Sequence, residues 1–341
     1  MSRIRPLFAR AAALTIAVVA LVPMPAVAET AAPVCKGQDM LAELKTSNPD
    51  LYAKVIDESS KLENSDGVLW KVEKDGVAPS YLFGTIHLSD PRLTTLSPKA
   101  TEALSGSDTV VLELADVSEN ALGAAVSKAT DLIVYTDGRN LKSQLSDDEY
   151  KIVEDLVKRT GMPAEFAGVF RPWMVSMLLS MSDCERKQVE SGALVLDARV
   201  AELAQKKGIP VRGLETAEQQ FSALAGVPED QQLQMLKVGL KYADRADDMM
   251  ETIVQMYLNR QLGAAMPFQI ALASLHGTPA SAFDGFKKSL IGDRNAKMRD
   301  EALPYLDKGK AFIAVGALHM PGPTGLVALV RNAGFTVTKI E

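Results

Sequence analysis

Two histidines stand in one repeated setting. His87 closes Gly84-Thr-Ile-His87 after the apolar Tyr81-Leu-Phe83, and His319 closes Gly316-Ala-Leu-His319 after the apolar run from Ala311 to Val315. The chain has three histidines, so two of the three follow a strand-like run that stops at glycine and delivers the ring three residues later. Neutral imidazole offers a lone pair near neutral pH, and a rigid strand end fixes where the ring sits. That pattern suits a metal ligand or a general base. A lone G-x-x-H is more often a capping or core histidine, because short motifs match by chance; two copies in matched contexts reverse that preference. Gly84 and Gly316 read as points where backbone turns sharply or comes close to a bound cofactor. His276, in Ser274-Leu-His276-Gly277, lacks the strand context and reads as structural.

Carboxylates and one arginine complete the candidate chemistry. Glu113 is flanked by Val110, Val111, Leu112 and Leu114, a run expected to be buried on both faces, where an unpaired carboxylate is costly. A cation or a metal would resolve that cost, and Glu113 would serve either as a ligand or as a general base. Glu215 ends Gly213-Leu-Glu215 and has two readings: a further ligand, or a first-turn carboxylate stabilised by the dipole of the following helix. Two histidines with one or two carboxylates are a donor set for Zn, Mn or Co with a position left open for water. Arg294 opens a helix after Gly292-Asp293. It is either a solvated surface charge or a clamp for a substrate carboxylate or developing oxyanion.

The elements needed to position these residues form an α/β arrangement. Alternation from Val68 to Val72, a turn at Asp75-Gly76 and a second strand from Ser80 to Phe83 suggest a β-hairpin running into His87. A helix from about Ser97 to Leu104 and the strand Thr109 to Leu114 follow. The C-terminal end repeats strand, histidine loop, helix and strand, with Gly334 as the helix C-cap before Phe335 to Ile340. Such strands are parallel with right-handed crossovers, and their following loops share one edge, where ligand sites form. The repeat reads as a duplicated unit. Between the two units the pattern is helical from about 120 to 308, interrupted by a strand at 210–215. Expected helices are Asp147 to Thr160, Pro172 to Ser182, Leu194 to Lys207, Ala217 to Ala225, Glu229 to Tyr242, Ala246 to Leu262 and Ala280 to Leu290. The sheet is thus built from both ends of the chain and covered by a large helical insertion. Residues 29–66 form a leader and two short helices broken at Asn48-Pro49, and the main domain covers 67–341.

Composition bounds the classes. The 341 residues are 47% hydrophobic and 23% charged, which excludes collagen-like and disordered chains. Residues 1–28 carry Arg3, Arg5 and Arg10, then an apolar run from Ala11 to Val22 and the small-residue site Ala26-Val-Ala28. This is the layout of a cleaved secretory signal; the run is too short to be a membrane anchor. Its removal takes away three arginines and no acid, so the formal net charge goes from -6 to -9. So acidic a chain is unsuited to nucleic acid, whose binding relies on Lys and Arg. No later run is long enough to span a membrane. In an oxidising compartment Cys35 and Cys184 are expected to pair as a disulfide; two unrelated thiols are the alternative.

As a set, Leu82-Phe-Gly-Thr-Ile-His-Leu-Ser89, Leu112-Glu-Leu114, Gly213-Leu-Glu-Thr-Ala-Glu-Gln-Gln220, Arg294-Asn-Ala-Lys-Met298 and Phe312 to Leu326 resemble the TraB/GumN family. That family is related to the Tiki-type metalloproteases and more distantly to erythromycin esterase-like and ChaN-like proteins. Met320 stands where many members have Leu, a conservative departure. The resemblance implies a divalent-metal-dependent hydrolase or peptidase centred on His87, Glu113 and His319, with Arg294 nearby, acting on a peptide or small molecule. Glu215 falls in a family block. The ChaN likeness implies an alternative: an envelope protein holding haem or a metal without turnover. The exported product is expected in the periplasm or outside the cell.

Overall fold

The computed structural model describes residues 34–116 and 119–341. The expected signal segment at 1–28 lies outside the described residues. Six strands form one sheet: β1 (Leu69–Lys74), β2 (Val77–Thr85), β3 (Thr109–Leu112), β4 (Val211–Gly213), β5 (Ala311–Gly316) and β6 (Thr336–Lys339), in the order β4-β3-β5-β2-β1-β6. β2, β5, β3 and β4 are mutually parallel. β1 and β2 form the expected hairpin, whose turn places Gly76 at φ 75°, a conformation glycine adopts without steric cost.

The apolar runs become central strands because both faces are covered. Phe83, Val110, Leu112, Phe312 and Ala314 pack toward the helices Pro98–Ser105 and Leu196–Lys206. Leu82, Val111, Ile313 and Val315 pack on the other face against Leu326–Asn332 and Asp293–Lys308. This is the two-residue alternation of a strand, applied to a sheet apolar on both sides.

The two strand–loop–helix–strand units run in opposite directions across this sheet. From β2 the chain crosses β5 by way of Pro98–Ser105 to reach β3; from β5 it crosses β2 and β1 by way of Leu326–Asn332 to reach β6. Crossovers of one hand moving in opposite directions must lie on opposite faces, as these helices do. A topological switch point therefore falls between β2 and β5, and a crevice opens beyond their carboxyl ends.

The helices Met40–Ser47 and Pro49–Ser60 meet at Asn48 as expected. The Asp39 carboxylate caps the first from Leu41 N at 2.9 Å, and Asn48 caps the second from Leu51 N at 3.2 Å. The helices of the middle gather a core of their own around Leu141, Trp173, Met174 and Leu236. Helices there that periodicity did not single out include Glu119–Lys128, Thr130–Ile133, Asp183–Glu190, which is polar almost throughout, and Ala265–Ser274, which is apolar on nearly every side. Asp183–Glu190 has too few apolar residues to show a hydrophobic stripe, and Ala265–Ser274 has no polar face to set one off. The helix expected over Ala280 to Leu290 is present as turns of mixed type, a 3₁₀ turn Ala280–Phe283, an α turn Asp284–Phe286 and a π-helical segment Lys287–Gly292, and it continues into Asp293–Lys308. π-helical turns inside helices often fall at functional sites, and Arg294 lies two residues beyond this one.

Cys35 and Cys184 are joined, with 5.8 Å between their Cα atoms and 149 residues between them in sequence. Among the described residues no helix is long and apolar enough to cross a membrane.

Candidate active site

Register brings the candidate residues to one edge. Thr85 pairs with Gly316 and Leu112 with both Ala314 and Gly213, so β2, β5, β3 and β4 end together. His87, His319, Glu113 and Glu215 each lie one to three residues past those ends.

Glu113 is buried and held from several sides. Its Oε1 accepts the Gly316 N–H at 2.6 Å; its Oε2 accepts Arg294 Nη2 at 2.7 Å and Gln220 Nε2 at 3.1 Å. Burial by itself would push this carboxyl up. The positive fields of His319, His87 and Arg294, with the Gly316 N–H, outweigh burial and bring its pKa down to about 2. Glu215 faces the same guanidinium: Arg294 donates to it from Nε at 3.2 Å and from Nη2, and Gln220 Nε2 reaches its Oε1 at 2.9 Å. Arg294 and Gln220 thus bridge the two glutamates. Nη1 of Arg294 reaches the Leu290 carbonyl at 3.4 Å.

His319 is buried and its ring orientation is set by Asn295. The Asn295 amide nitrogen donates to two carbonyls, Thr324 O at 2.7 Å and His319 O at 3.3 Å, which leaves Oδ1 to face the ring at 2.6 Å. Nδ1 must then carry the proton, by the hydrogen-bond logic that assigns amides and tautomers. Burial pushes the imidazole pKa down to about 4 despite the pull of Glu113, so the neutral ring presents an Nε2 lone pair. That lone pair faces Glu113 Oε1 at 3.8 Å, too far for a hydrogen bond.

His87 is wetter, with 62% of its side chain exposed, and its Nδ1 lies 2.8 Å from Asp197 Oδ2. The Asp197 carboxylate raises its pKa. Its Nε2 points toward the Gly316 backbone: a Cβ built on Gly316 would stand 3.1 Å from Glu113 Oε1, 3.6 Å from His319 Cδ2 and 3.9 Å from His87 Nε2. A side chain at position 316 would fill the space that the three groups share. Gly84 differs. Its added Cβ would meet Ala317 at 3.1 Å, and its carbonyl accepts Tyr257 OH at 2.7 Å, so this glycine serves close packing of the two histidine loops. His276 lies elsewhere, edge-on to Tyr242 with 3.1 Å from Nε2 to the Tyr242 hydroxyl.

The donor chemistry fits a divalent cation. Each histidine has its Nδ1 engaged by a side-chain oxygen, which leaves Nε2 for the metal, the arrangement by which outer groups orient metal-binding imidazoles. The charge fits as well. Arg294 faces Glu113 and Glu215, and Asp197 adds a third carboxylate beside His87, so a metal that displaced the His87 proton would meet a formal excess of two negative charges. Among the described residues, however, no group of three or more His, Cys, Asp or Glu side chains is already drawn together into a metal cage. The fit is one of ligand type, orientation and charge.

Periodicity and motif spacing did not point to Asp197, Asn295, Gln220, Thr85 or Tyr257. Asn295 and Gln220 lie inside the sequence blocks that carry the family resemblance, and Thr85 lies inside the first G-x-x-H. Asp197 and Tyr257 belong to no motif and are found only through the fold.

Residues 68–339 match the TraB/PrgY/gumN family. Curated relatives include metalloprotease TIKI2 of Danio rerio, 26% identical over 322 residues covering 81% of this chain and 61% of the relative. Metalloprotease TIKI1 of Xenopus tropicalis is 25% identical over 342 residues, 87% of this chain and 65% of the relative. The chain therefore spans about three-fifths of the length of these relatives. No solved structure matches it significantly. With four-fifths of its length matched and the paired histidines meeting at one sheet edge, the chain belongs to the TraB/PrgY/gumN family.

Proposed function

We propose that this protein is an exported, divalent-metal-dependent hydrolase of the peptidase kind, with His87, His319 and Glu113 holding the ion. The observation that carries the reading is the pair His319 Nε2 and Glu113 Oε1. Two buried lone-pair acceptors face each other across 3.8 Å with no proton assigned between them. In a low-dielectric setting that opposition is unfavourable, and a cation relieves it. The relatives' names, metalloproteases, agree in reaction class.

A divalent ion bound there supplies Lewis acidity for hydrolysis of a carbonyl compound. The chain's own groups do the rest. Glu113 stays ionised at neutral pH, and with a pKa near 2 it is a poor proton acceptor, so its role is that of a ligand and not of a general base. Arg294 has most of its donors committed to Glu113 and Glu215. It therefore acts by fixing Glu113 rather than by reaching for substrate. Glu215 shares its oxygens between Arg294 and Gln220 and acts as the counter-charge that keeps Arg294 in place. Gly316 keeps the approach to the histidines clear and donates its N–H to Glu113.

The disulfide and the acidic composition support a periplasmic or secreted location, since such bonds persist in oxidising compartments. The test is a peptide-library assay on metal-stripped protein reloaded with Zn, Mn or Co. Activity restored by a metal in the wild type and lost in both His87→Ala and His319→Ala supports the reading. Full activity in both variants ends it.

A further inference from the structure

We infer that Asp197 is the positioning residue that presents the Nε2 of His87 to the site, and that the helix Leu196–Lys206 reaches the active centre through it. Asp197 lies in the first turn of the helix Leu196–Lys206. First-turn acids usually serve their own helix, by capping free N–H groups or by meeting the positive end of the dipole. Asp197 does otherwise. Its Oδ1 accepts the Thr85 hydroxyl and its Oδ2 lies 2.8 Å from His87 Nδ1, while the preceding Val195 makes no side-chain cap. Both oxygens are thus directed away from the helix and onto the two residues that bracket the end of β2.

The support under Asp197 is rigid. Leu196, Val200 and Ala204 bury one face of the helix against the sheet, and Leu196 N donates to Leu88 O at 3.2 Å, one residue beyond His87. The loop is pinned again at Ser89, whose N–H donates to Glu185 Oε1 at 2.7 Å and whose hydroxyl donates to Gln188 Oε1 at 2.9 Å. An imidazole with 62% of its side chain exposed would otherwise rotate freely about two bonds. A carboxylate on Nδ1 selects one ring orientation and the Nδ1–H tautomer, which leaves the Nε2 lone pair directed toward the space in front of Gly316.

The inference rests on the reading of His87 as a ligand, so the experiment separates the two. The first arm uses metal-free protein at alkaline pH, where the ring is neutral, and reads the His87 tautomer by ¹⁵N NMR. The wild type is expected to show an unprotonated Nε2, Asp197→Ala a mainly protonated Nε2, and Asp197→Asn, which keeps an acceptor oxygen, an intermediate result. The second arm titrates Zn. Asp197→Ala is expected to lower affinity roughly 10- to 100-fold and Asp197→Asn less, the usual range for losing an outer partner of a metal-binding histidine. Should Asp197→Ala not fold, Thr85→Val, which removes only the hydroxyl that steadies Asp197, is read in its place and is expected to move both measurements in the same direction by less. An unchanged tautomer in every variant overturns the positioning role. Failure of the wild type to bind Zn overturns the ligand reading of His87 but leaves the tautomer result to stand.

Discussion

Asn295 and His319 are locked together by chemistry that neither could supply alone: two carbonyls consume the amide protons of Asn295, and its one remaining oxygen takes the Nδ1 proton of His319 at 2.6 Å. The tautomer of a buried histidine is fixed by this contact. Asn295→Ala would leave two carbonyls and a ring N–H without partners. The expected cost is about 2–3 kcal/mol of stability for unsatisfied buried groups, read by urea denaturation, together with a roughly 10- to 100-fold loss of metal affinity. Unchanged affinity would mean that the ring orientation does not matter to the site.

Arg294 sits between two carboxylates whose side chains are each only 6% exposed. Removing one partner from a buried ion network leaves uncompensated charge, so Arg294→Met is expected to destabilise by about 3–5 kcal/mol. Arg294→Lys should rescue little, because an ammonium cannot reproduce a fork that reaches both glutamates. Denaturation midpoints of the two variants test this, and full rescue by lysine would contradict it.

Stability of the metal-free protein should depend on pH in a defined direction. His319 has a folded pKa of about 4 against an ordinary value of 6.5, so the unfolded chain binds the extra proton. Stability is therefore present above pH 6.5 and declines as pH falls toward 4, by about 3 kcal/mol at most. Glu113 acts in the same sense lower down, between its ordinary 4.5 and about 2. His87 is raised and acts oppositely: its contribution is full below 6.5 and fades as pH rises through its folded value. Denaturation across pH should show His319→Asn with a flatter acid limb than the wild type. An equally steep limb in the variant would place the titration elsewhere.

Gly316→Ala places a methyl group 3.1 Å from Glu113 Oε1 and in front of both rings. With φ of -50° the backbone tolerates alanine, so the fold should survive while metal affinity and activity fall together by at least about 10-fold. Circular dichroism alongside metal titration separates the two outcomes; an alanine variant with wild-type affinity would show that the space before Gly316 is not used.

The Cys35–Cys184 bond closes a segment of 149 residues, and in the chain-entropy view such a loop contributes about 5 kcal/mol. Reduction, or Cys35→Ser, should lower the melting temperature and change electrophoretic mobility. The loss should also loosen Ser89, because Cys184 lies in the helix whose Glu185 and Gln188 hold it. An unchanged melting temperature on reduction would contradict this role.

The histidines were legible because a buried strand writes its own end into the sequence: an apolar run, a glycine, then the polar residue that needs the edge. Glu113 was legible for the converse reason, a charge where the pattern demands apolar residues. The direction of the crossovers was not legible, since local periodicity does not show that β5 inserts between β2 and β3. Asp197 looked like an ordinary first-turn acid, and only the packing of Leu196, Val200 and Ala204 on the sheet reveals why it meets His87. The π turn before Arg294 was hidden as well, because its residues have no composition distinct from a normal helix.

The most direct test is an anomalous difference map from crystals grown with Zn, Mn or Co and measured at that metal's edge. One peak touching Nε2 of both His87 and His319 and an oxygen of Glu113 is expected, absent in His319→Ala. A peak on one histidine alone, or none at this edge of the sheet at saturating metal, would contradict it.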